Sequence, residues 1–203
     1  MLYSYYEHLK KNTNTLIIKF YGLHAVQWTE GRRKKHIYLV IMGNIIGDFK
    51  TNIKYDLKGS TTGRTALKPG ETPETYGEKA PLKCNDFRTH QKQIVFRSEQ
   101  EHLKEQNDHL TESSIIQTDD EDLEPQKMEN LVDILCKDAQ FLAENNIIDY
   151  SVLIGEIHED PYELSQRLLE TPSLKQQAKG VFFATDGKPY FVGIIDPLTG
   201  FNL

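Results

Sequence analysis

An acid, two cations and a glycine–hydroxyl turn lie within nine residues of one another, from position 56 to position 64. Asp56 and Lys58 are two positions apart, so on an extended strand their side chains point to the same face. Gly59 allows a turn or the close approach of a ligand, hydroxyl side chains follow it, and Arg64 adds a second cation. This combination suits a site that handles phosphate. The alternative is a polar loop with a surface ion pair, which contributes little to stability.

Two further acids, Asp149 and Asp196, each adjoin a strongly apolar, strand-like run. Because an unpaired buried carboxylate costs several kcal/mol, each is expected at the open end of a strand, facing a metal, a cation or a solvent cleft. Phosphoryl transfer from ATP needs one acid to position the hydroxyl nucleophile, one to hold Mg²⁺, and cations on the phosphates. Asp149, Asp196, Lys58 and Arg64 can supply these parts. The alternative interpretation is a pair of turn-capping aspartates.

Apolar periodicity predicts the elements that must position these residues. Before the central stretch it predicts a helix over 2–11, a strand over 15–26, a basic hairpin loop over 29–35 and a strand over 36–46. The last of these is a near-continuous apolar run, which is typical of a strand buried on both faces. Gly43 and Asn44 loosen the backbone near its end and indicate a hinge.

After a strand over 53–57 that delivers Asp56, the pattern predicts a loop over 63–83, short elements beginning at 85–87 and 93–96, and a helix over 128–146. It then predicts that residues 147–155 carry Asp149 from the helix end into a buried strand. A helix over 163–169 and a hairpin of strands 181–184 and 190–195 around the Asp186–Gly187 turn follow. Residues 105–127 are acidic without an apolar period, and we expect a disordered insertion there. The order of elements predicts a mixed α+β fold, mostly antiparallel, with packed helices.

The composition bounds the class of protein. The 203 residues are enough for one domain, or for a domain with a smaller lobe. The sequence contains no apolar run of the roughly 18–20 residues that span a membrane and no signal-peptide pattern at its start. Cys84 and Cys136 are far apart and form no metal motif, so we expect reduced thiols in a cytoplasmic protein.

The net charge of −6 conceals a division of the chain into a basic and an acidic half. Residues 1–98 hold 17 Lys and Arg against 8 Asp and Glu, whereas residues 99–203 hold 7 against 22. A half that carries +9 on an acidic protein indicates an anionic partner. The sequence has no zinc knuckle and no aromatic nucleic-acid motif, so we expect no nucleic-acid partner. The two halves could also simply pair with each other.

Short motifs, taken in order, give the sequence a family resemblance. They are residues 19–26 (KFYGLHAV), 40–45 (VIMGNI), 55–61 (YDLKGST) with Arg64 after it, 85–87 (NDF), 148–153 (IDYSVL) and 193–196 (GIID). With these motifs, from about residue 2 to residue 203, the chain resembles the phosphatidylinositol phosphate kinases. The match is specific because the motifs occur together and in the family's order.

The resemblance implies a role for each candidate residue. Asp149 would be the catalytic acid near the inositol hydroxyl, and Asp196 would bind Mg²⁺. Lys58 would contact nucleotide or the transferring phosphate, Arg64 would bind the phosphate already on the inositol ring, and Asp56 would support the site beside them. The hinge residues Met42, Asn44 and Ile45 would hold the adenine of ATP.

The resemblance also implies a kinase-like, two-lobed cleft. Residues 1–46 would be the remainder of the first lobe with the hinge, and residues 47–203 would be the second lobe. The family's phosphate-covering loop and ATP-binding lysine lie upstream of the matched region, and its specificity loop lies downstream of Asp196. Pro197 departs from the family's usual apolar residue. We therefore expect a core fragment that lacks the first strands of the first lobe. We expect it to bind phosphoinositide head groups and to transfer phosphate poorly by itself.

The activity implied is transfer of the ATP γ-phosphate to an inositol ring hydroxyl of a phosphatidylinositol phosphate, at the cytosolic face of a membrane that the protein contacts peripherally. The 4-phosphate 5-kinase branch fits best, on the match around Asp56–Arg64. The 5-phosphate 4-kinase branch remains open, as does a non-catalytic module that binds anionic head groups through Lys58, Arg64 and the basic hairpin.

Overall fold

The structure, a computed structural model, describes residues 2–51, 53–77, 80–90, 94, 130–171 and 179–200. The helices in these ranges are α1 (Leu2–Lys11), α2 (Pro73–Tyr76), α3 (Cys84–His90), α4 (Leu131–Glu144) and α5 (Pro161–Glu170). The strands are β1 (Phe20–Glu30), β2 (Arg33–Met42), β3 (Lys54–Leu57), β4 (Ile147–Ile148), β5 (Ser151–Glu156), β6 (Val181–Phe183), β7 (Pro189–Ile195) and β8 (Thr199–Gly200). The α+β prediction is confirmed, and every strand-to-strand ladder is antiparallel.

The central sheet has four strands in the order β3–β5–β7–β6. Its middle strands β5 and β7 carry the longest apolar runs, and side chains on both of their faces are buried. Helices α1 and α4 cover one face through a cluster that includes Tyr5, Phe141 and Ile194. Helix α5 covers the other face, where Leu164 packs with Phe191. The sheet thus lies between two helical layers, and its strand ends are free to carry polar residues.

The predicted helix over 128–146 is present as α4, and Asn130 caps its start by accepting a hydrogen bond from the Asp133 backbone N–H at 2.9 Å. Its buried stripe contains one charged residue, Asp138, which is fully buried. The Asp138 carboxylate accepts hydrogen bonds from His8 Nε2 at 2.7 Å and from the Leu16 backbone N–H at 2.7 Å. Helix α1 is therefore fastened to α4 by a polar contact inside an otherwise apolar interface.

Strand β2, which was predicted to be buried on both faces, is exposed instead. Strand β2 pairs with β1 in a two-stranded ribbon, and within the described residues neither strand has a second partner. Nearly all of β2 is exposed, including Ile37, Leu39 and Ile41. A continuous apolar run indicates only that both faces of a strand are apolar. Burial also requires that another layer of helices or strands packs against each face.

Smaller differences concern element ends. Residues 16–18 were predicted within the first strand, but they leave β1 and bridge to β7, where Ile18 N–H donates to Ile194 O at 2.9 Å. The predicted loop over 63–83 holds one short helix, α2, with Thr72 as its cap. The prediction of disorder over 105–127 lies outside the described residues, as does most of the element predicted over 93–96.

Candidate active site

The register of the sheet brings three strand ends to one edge. Leu57 pairs with Val152, and Val152 pairs with Ile194, so the end of β3, the start of β5 and the end of β7 are adjacent. The candidate residues next to these strand ends are Lys58, Asp149 and Asp196. Three residues far apart in sequence are thus collected at one edge by antiparallel pairing alone.

Both acids at this edge interrupt regular strand geometry. Asp149 has a φ of 61° and Asp196 a φ of 58°, which places both in the left-handed region. Non-glycine residues rarely adopt this conformation, and those that do are often functional-site residues. The conformation ends β7 at Asp196 and separates β4 from β5 at Asp149, so each acid lies at a strand end as predicted.

Lys58 forms an ion pair with Asp149. Its Nζ donates to the Asp149 carboxylate Oδ1 at 2.7 Å and to the Asp149 backbone oxygen at 2.6 Å. The Asp149 side chain is 64% exposed, so this pair adds little to stability. Its importance is geometric: the cation holds one carboxylate oxygen and neutralises the acid, while Oδ2 has no hydrogen-bond partner among the described residues.

Asp56 organises a second, less exposed group of charges. Arg64 Nη2 donates to the Asp56 backbone oxygen at 2.8 Å and to Oδ1 at 3.1 Å. Lys83 Nζ donates to the other carboxylate oxygen, Oδ2, at 2.7 Å. Asp56 is thus paired with Arg64 and Lys83, and Lys58 turns to Asp149 instead. The carboxylate holds two cations side by side at the base of the loop that follows β3.

The electrostatics of this group follow from its contacts. Burial would raise the pKa of Asp56, but the hydrogen bond from Lys83 and the charges of Lys83 and Arg64 outweigh it, so the pKa lies below its usual value. Burial would lower the pKa of Arg64, and its contacts with Cys84 and Asp56 raise it instead. Asp56 and Arg64 therefore both stay ionised at neutral pH.

Two contributors to the site were not identified from the sequence. Lys83 lies in a segment predicted as loop, with no periodic signal that relates it to Asp56. Cys84 accepts a hydrogen bond from the Lys58 backbone N–H at 3.3 Å through its sulfur. Burial would raise the pKa of this thiol, but the Lys58 N–H and Arg64 lower it. A cysteine predicted only to be reduced thus packs under the loop that carries Lys58.

An open cleft of about 1160 Å³ lies at this edge of the sheet. Three of the predicted site residues, Lys58, Arg64 and Asp149, line it together with Gly59 and Ser60. Its apolar wall consists of Leu57, Ile147, Ile148, Tyr150 and Val152. The lining does not include Asp56, Asp196 or the hinge residues Met42, Asn44 and Ile45. A volume of this size accommodates a ligand larger than a single phosphate.

The hinge lies against the sheet rather than in that cleft. Ile45 packs onto Gly193 of β7, where a Cβ would come within 2.7 Å of the isoleucine side chain. Gly193 pairs with Leu153, which pairs with Asp56, and directly opposed residues share one sheet face. Ile45 and Asp56 therefore belong to the same face of the sheet. Met42 is at the end of β2 and Asn44 is exposed.

The residues present are compatible with Mg²⁺ at Asp196. Among the described residues no group of three His, Cys, Asp or Glu side chains could hold a metal by itself. Magnesium does not require one, because it binds through one or two carboxylates, substrate phosphates and water. The Asp196 side chain is exposed and has no hydrogen-bond partner within the described part of the chain, so its oxygens are available.

Among the helices that the structure describes, none has the length and apolar character to cross a bilayer.

An α+β fold that collects acids and cations at one edge of an antiparallel sheet defines a protein suited to binding phosphate groups. The family model for Phosphatidylinositol-4-phosphate 5-Kinase matches residues 1–188. The chain belongs to this family, which confirms the resemblance drawn from the short motifs.

Individual relatives agree with the family assignment. The chain is 28% identical over its whole length to a phosphatidylinositol 4-phosphate 5-kinase of Plasmodium falciparum, and 33% identical over 76% of its length to phosphatidylinositol 4-phosphate 5-kinase 4 of Arabidopsis thaliana. It is 31% identical over 89% of its length to a probable phosphatidylinositol phosphate kinase of Dictyostelium discoideum. The chain spans 11%, 16% and 22% of the lengths of these three relatives.

Proposed function

We propose that the protein is a lipid kinase that transfers the γ-phosphate of ATP to an inositol ring hydroxyl of a phosphatidylinositol phosphate, with phosphatidylinositol 4-phosphate as the substrate and its 5-hydroxyl as the acceptor. The observation that supports this most is the Lys58–Asp149 pair in a cleft that Arg64 also lines. It combines an acid, a neutralising cation and a second cation within a chain whose family and relatives are named for this reaction.

Asp149 would act on the attacking hydroxyl. One of its oxygens, Oδ1, is held by Lys58, so Oδ2 remains to accept the hydroxyl proton as the new oxygen–phosphorus bond forms and the bond to the ADP oxygen breaks. The left-handed backbone at Asp149 fixes the direction in which the carboxylate leaves the sheet edge. Most of the side chain is exposed to the cleft, which leaves room for a substrate hydroxyl.

Lys58 would contact the transferring phosphate. Its ammonium has three N–H donors, of which two are used on Asp149. The third has no acceptor among the residues that the structure describes, and it can bind a phosphate oxygen. Because the ion pair contributes little to stability, exchanging part of it for phosphate contacts is energetically easy.

Arg64 would bind the phosphate already on the inositol ring. Its guanidinium lines the cleft while one nitrogen is fixed by Asp56, and a planar guanidinium donates in pairs to phosphate oxygens. Asp56 would hold the arginine in place. Met42, Asn44 and Ile45 would contact the adenine, on the sheet face that Asp56 also occupies. Asp196 would hold Mg²⁺, which when bound offsets the charge of the nucleotide phosphates.

The lipid substrate implies a peripheral contact with an anionic membrane surface, at its cytosolic face. The basic half of the chain supports this, since its exposed hairpin carries Arg32, Arg33, Lys34 and Lys35. Attraction between such exposed charges and anionic lipids is screened over about 8–10 Å at physiological ionic strength, so it should weaken as salt is added.

The test uses the protein as its gene encodes it, radiolabelled Mg-ATP and vesicles that contain phosphatidylinositol 4-phosphate, phosphatidylinositol 5-phosphate or unphosphorylated phosphatidylinositol. The proposal predicts label in phosphatidylinositol 4,5-bisphosphate, formed fastest from the 4-phosphate. Faster labelling from phosphatidylinositol 5-phosphate would assign the protein to the 5-phosphate 4-kinase branch. Salt-sensitive binding to both phosphorylated lipids without any label would identify a binding module instead of a kinase.

A further inference from the structure

The Asn85–Asp86–Phe87 motif has no role in the site as described so far, yet its side chains hold the loop that carries Arg64. Asn85 Nδ2 donates to Thr61 O at 2.8 Å and to Thr65 Oγ1 at 3.0 Å, and the Asn85 backbone N–H donates to Arg64 O at 2.9 Å. One residue at the start of α3 thus spans the loop on both sides of Arg64.

Asp86 completes this attachment from the buried side. Only 3% of the residue is exposed, and its carboxylate accepts three backbone hydrogen bonds. Ala66 N–H reaches Oδ2 at 2.9 Å, Lys83 N–H reaches the same oxygen at 2.8 Å, and Leu67 N–H reaches Oδ1 at 3.3 Å. Because Asp86 is buried at this point, loss of its carboxylate removes the acceptor of all three half-buried amides at once.

The shared oxygen has a geometric consequence. Ala66 is two residues after Arg64, and the other amide on Oδ2 is that of Lys83. The two backbone segments that present Arg64 and Lys83 are therefore fixed to one atom. Their side chains meet again on the two oxygens of Asp56. The Asp86 carboxylate thus joins the two backbone segments, and the Asp56 carboxylate joins the side chains of Arg64 and Lys83.

Phe87, the third residue of the motif, contacts the apolar core and, among the described residues, makes no hydrogen bond to the loop that carries Arg64. Phe87 packs edge-on against Tyr55 of β3, with ring centroids 5.1 Å apart, in a cluster with Ile53 and Leu82. The Asn85 and Asp86 side chains are not part of this apolar cluster, although Ala66 and Leu67, whose N–H groups Asp86 accepts, pack against it. We propose that Asn85 and Asp86 are positioning residues: they hold the 61–67 loop so that Arg64, beside Lys83 on Asp56, is aligned with the lipid phosphate. The inference rests on the proposed function, since it concerns the same head-group site.

The test compares binding of Asp86→Ala, Asp86→Asn and Arg64→Ala to phosphatidylcholine vesicles that contain phosphatidylinositol 4-phosphate, at low salt. Asp160→Ala is the matched control, since Asp160 also accepts two backbone N–H groups at a helix start, at 3.0 Å each, but lies at α5. Asp86→Ala should weaken binding about tenfold, equivalent to about 1.4 kcal/mol, with the effect of Arg64→Ala at least as large. Asp160→Ala should bind like the wild type, with a smaller loss in Tm because Asp160 is exposed.

Asp86→Asn provides the rescue that a general loss of folding would not show. Its amide oxygen can occupy the Oδ2 position and keep the bonds to Ala66 and Lys83, so binding should recover most of the way towards the wild-type value. If Asp86→Ala does not fold, Asn85→Ala replaces it with the same expectation, since it removes the bonds to Thr61 and Thr65.

The outcomes separate the two proposals. Weak binding by Arg64→Ala together with wild-type binding by Asp86→Ala, or by Asn85→Ala where it replaces that variant, would overturn the positioning role and leave the head-group site intact. Wild-type binding by Arg64→Ala would refute the assignment of Arg64 itself. Weak binding by Asp86→Ala alone would also overturn the inference, because the residue is argued to act through Arg64.

Discussion

At the scale of single residues, Asp56 joins two cations of the candidate site. Its carboxylate binds Lys83 through one oxygen and Arg64 through the other, and both contacts are largely shielded from water. The sequence places Asp56, Lys58 and Arg64 near one another, and the structure pairs Asp56 with Arg64 but Lys58 with Asp149. The same-face rule relates Asp56 to Lys58, whereas the chain turns at Gly59, which has a φ of 70°, and Lys58 reaches across to Asp149.

The lowered pKa of Asp56 makes its contribution to stability dependent on pH. A group whose pKa is lower in the folded state stabilises that state above its unfolded pKa, near 3.9 for Asp, and loses this contribution as the pH falls through the folded value. We predict that the wild type exceeds Asp56→Asn in free energy of unfolding at pH 7, and that the difference shrinks below about pH 4. Urea unfolding of both proteins between pH 7 and pH 3 measures this difference in the free energy of unfolding. A difference that stays constant or widens in acid would contradict this assignment of Asp56.

At the scale of elements, the long segments with a regular apolar period were predictable from the sequence, whereas the polar residues that interrupt this period were not. Helix α4 and the β6–β7 hairpin follow from apolar period and from the Asp–Gly turn. Asp138 was missed although its spacing of four from Ile134 and from Leu142 puts it on the buried stripe of α4. A buried charge in an apolar stripe signals a partner elsewhere, but only the fold reveals that the partner is His8.

The candidate site was predictable in its composition and less so in its connections. Lys58, Asp149 and Asp196 were chosen because acids and cations beside apolar strands need an open strand end, and the sheet register puts them at one edge. Lys83 was missed because long-range pairing depends on the path of the loop, which has no periodicity. The assignment of the hinge residues to adenine stays a prediction.

The division of the run 147–155 into β4 and β5 depends on the left-handed backbone of Asp149. This conformation costs a non-glycine residue roughly 1–2 kcal/mol, and glycine adopts it freely. We predict that Asp149→Gly is more stable than Asp149→Ala by about 1 kcal/mol, because both lose the Lys58 pair and only glycine relieves the backbone. Denaturant unfolding of the two variants tests this. Equal stability, or a more stable alanine variant, would show that the backbone there is not strained.

At the scale of the whole molecule, the sheet and its two helical layers serve to hold one polar edge. The apolar faces of β5 and β7 are filled by α1, α4 and α5, so the strands cannot shift without exposing core side chains. Positioning of this kind is what phosphoryl transfer requires, since most of its catalysis comes from placement and charge. The exposed β1–β2 ribbon is the part of the described chain least constrained by this packing.

The central claim is that the edge carrying Lys58, Asp149 and Asp196 performs phosphate transfer to a phosphoinositide. The most direct measurement is the transfer rate of Asp149→Asn in the protein as its gene encodes it, with radiolabelled Mg-ATP and phosphatidylinositol 4-phosphate vesicles, beside Asp160→Asn as a control. The account predicts a loss of about a hundredfold or more for Asp149→Asn, with unchanged vesicle binding and Tm, since a general base is removed and the fold is not. Asp160→Asn should keep the wild-type rate, and a near-wild-type rate for Asp149→Asn would contradict the account.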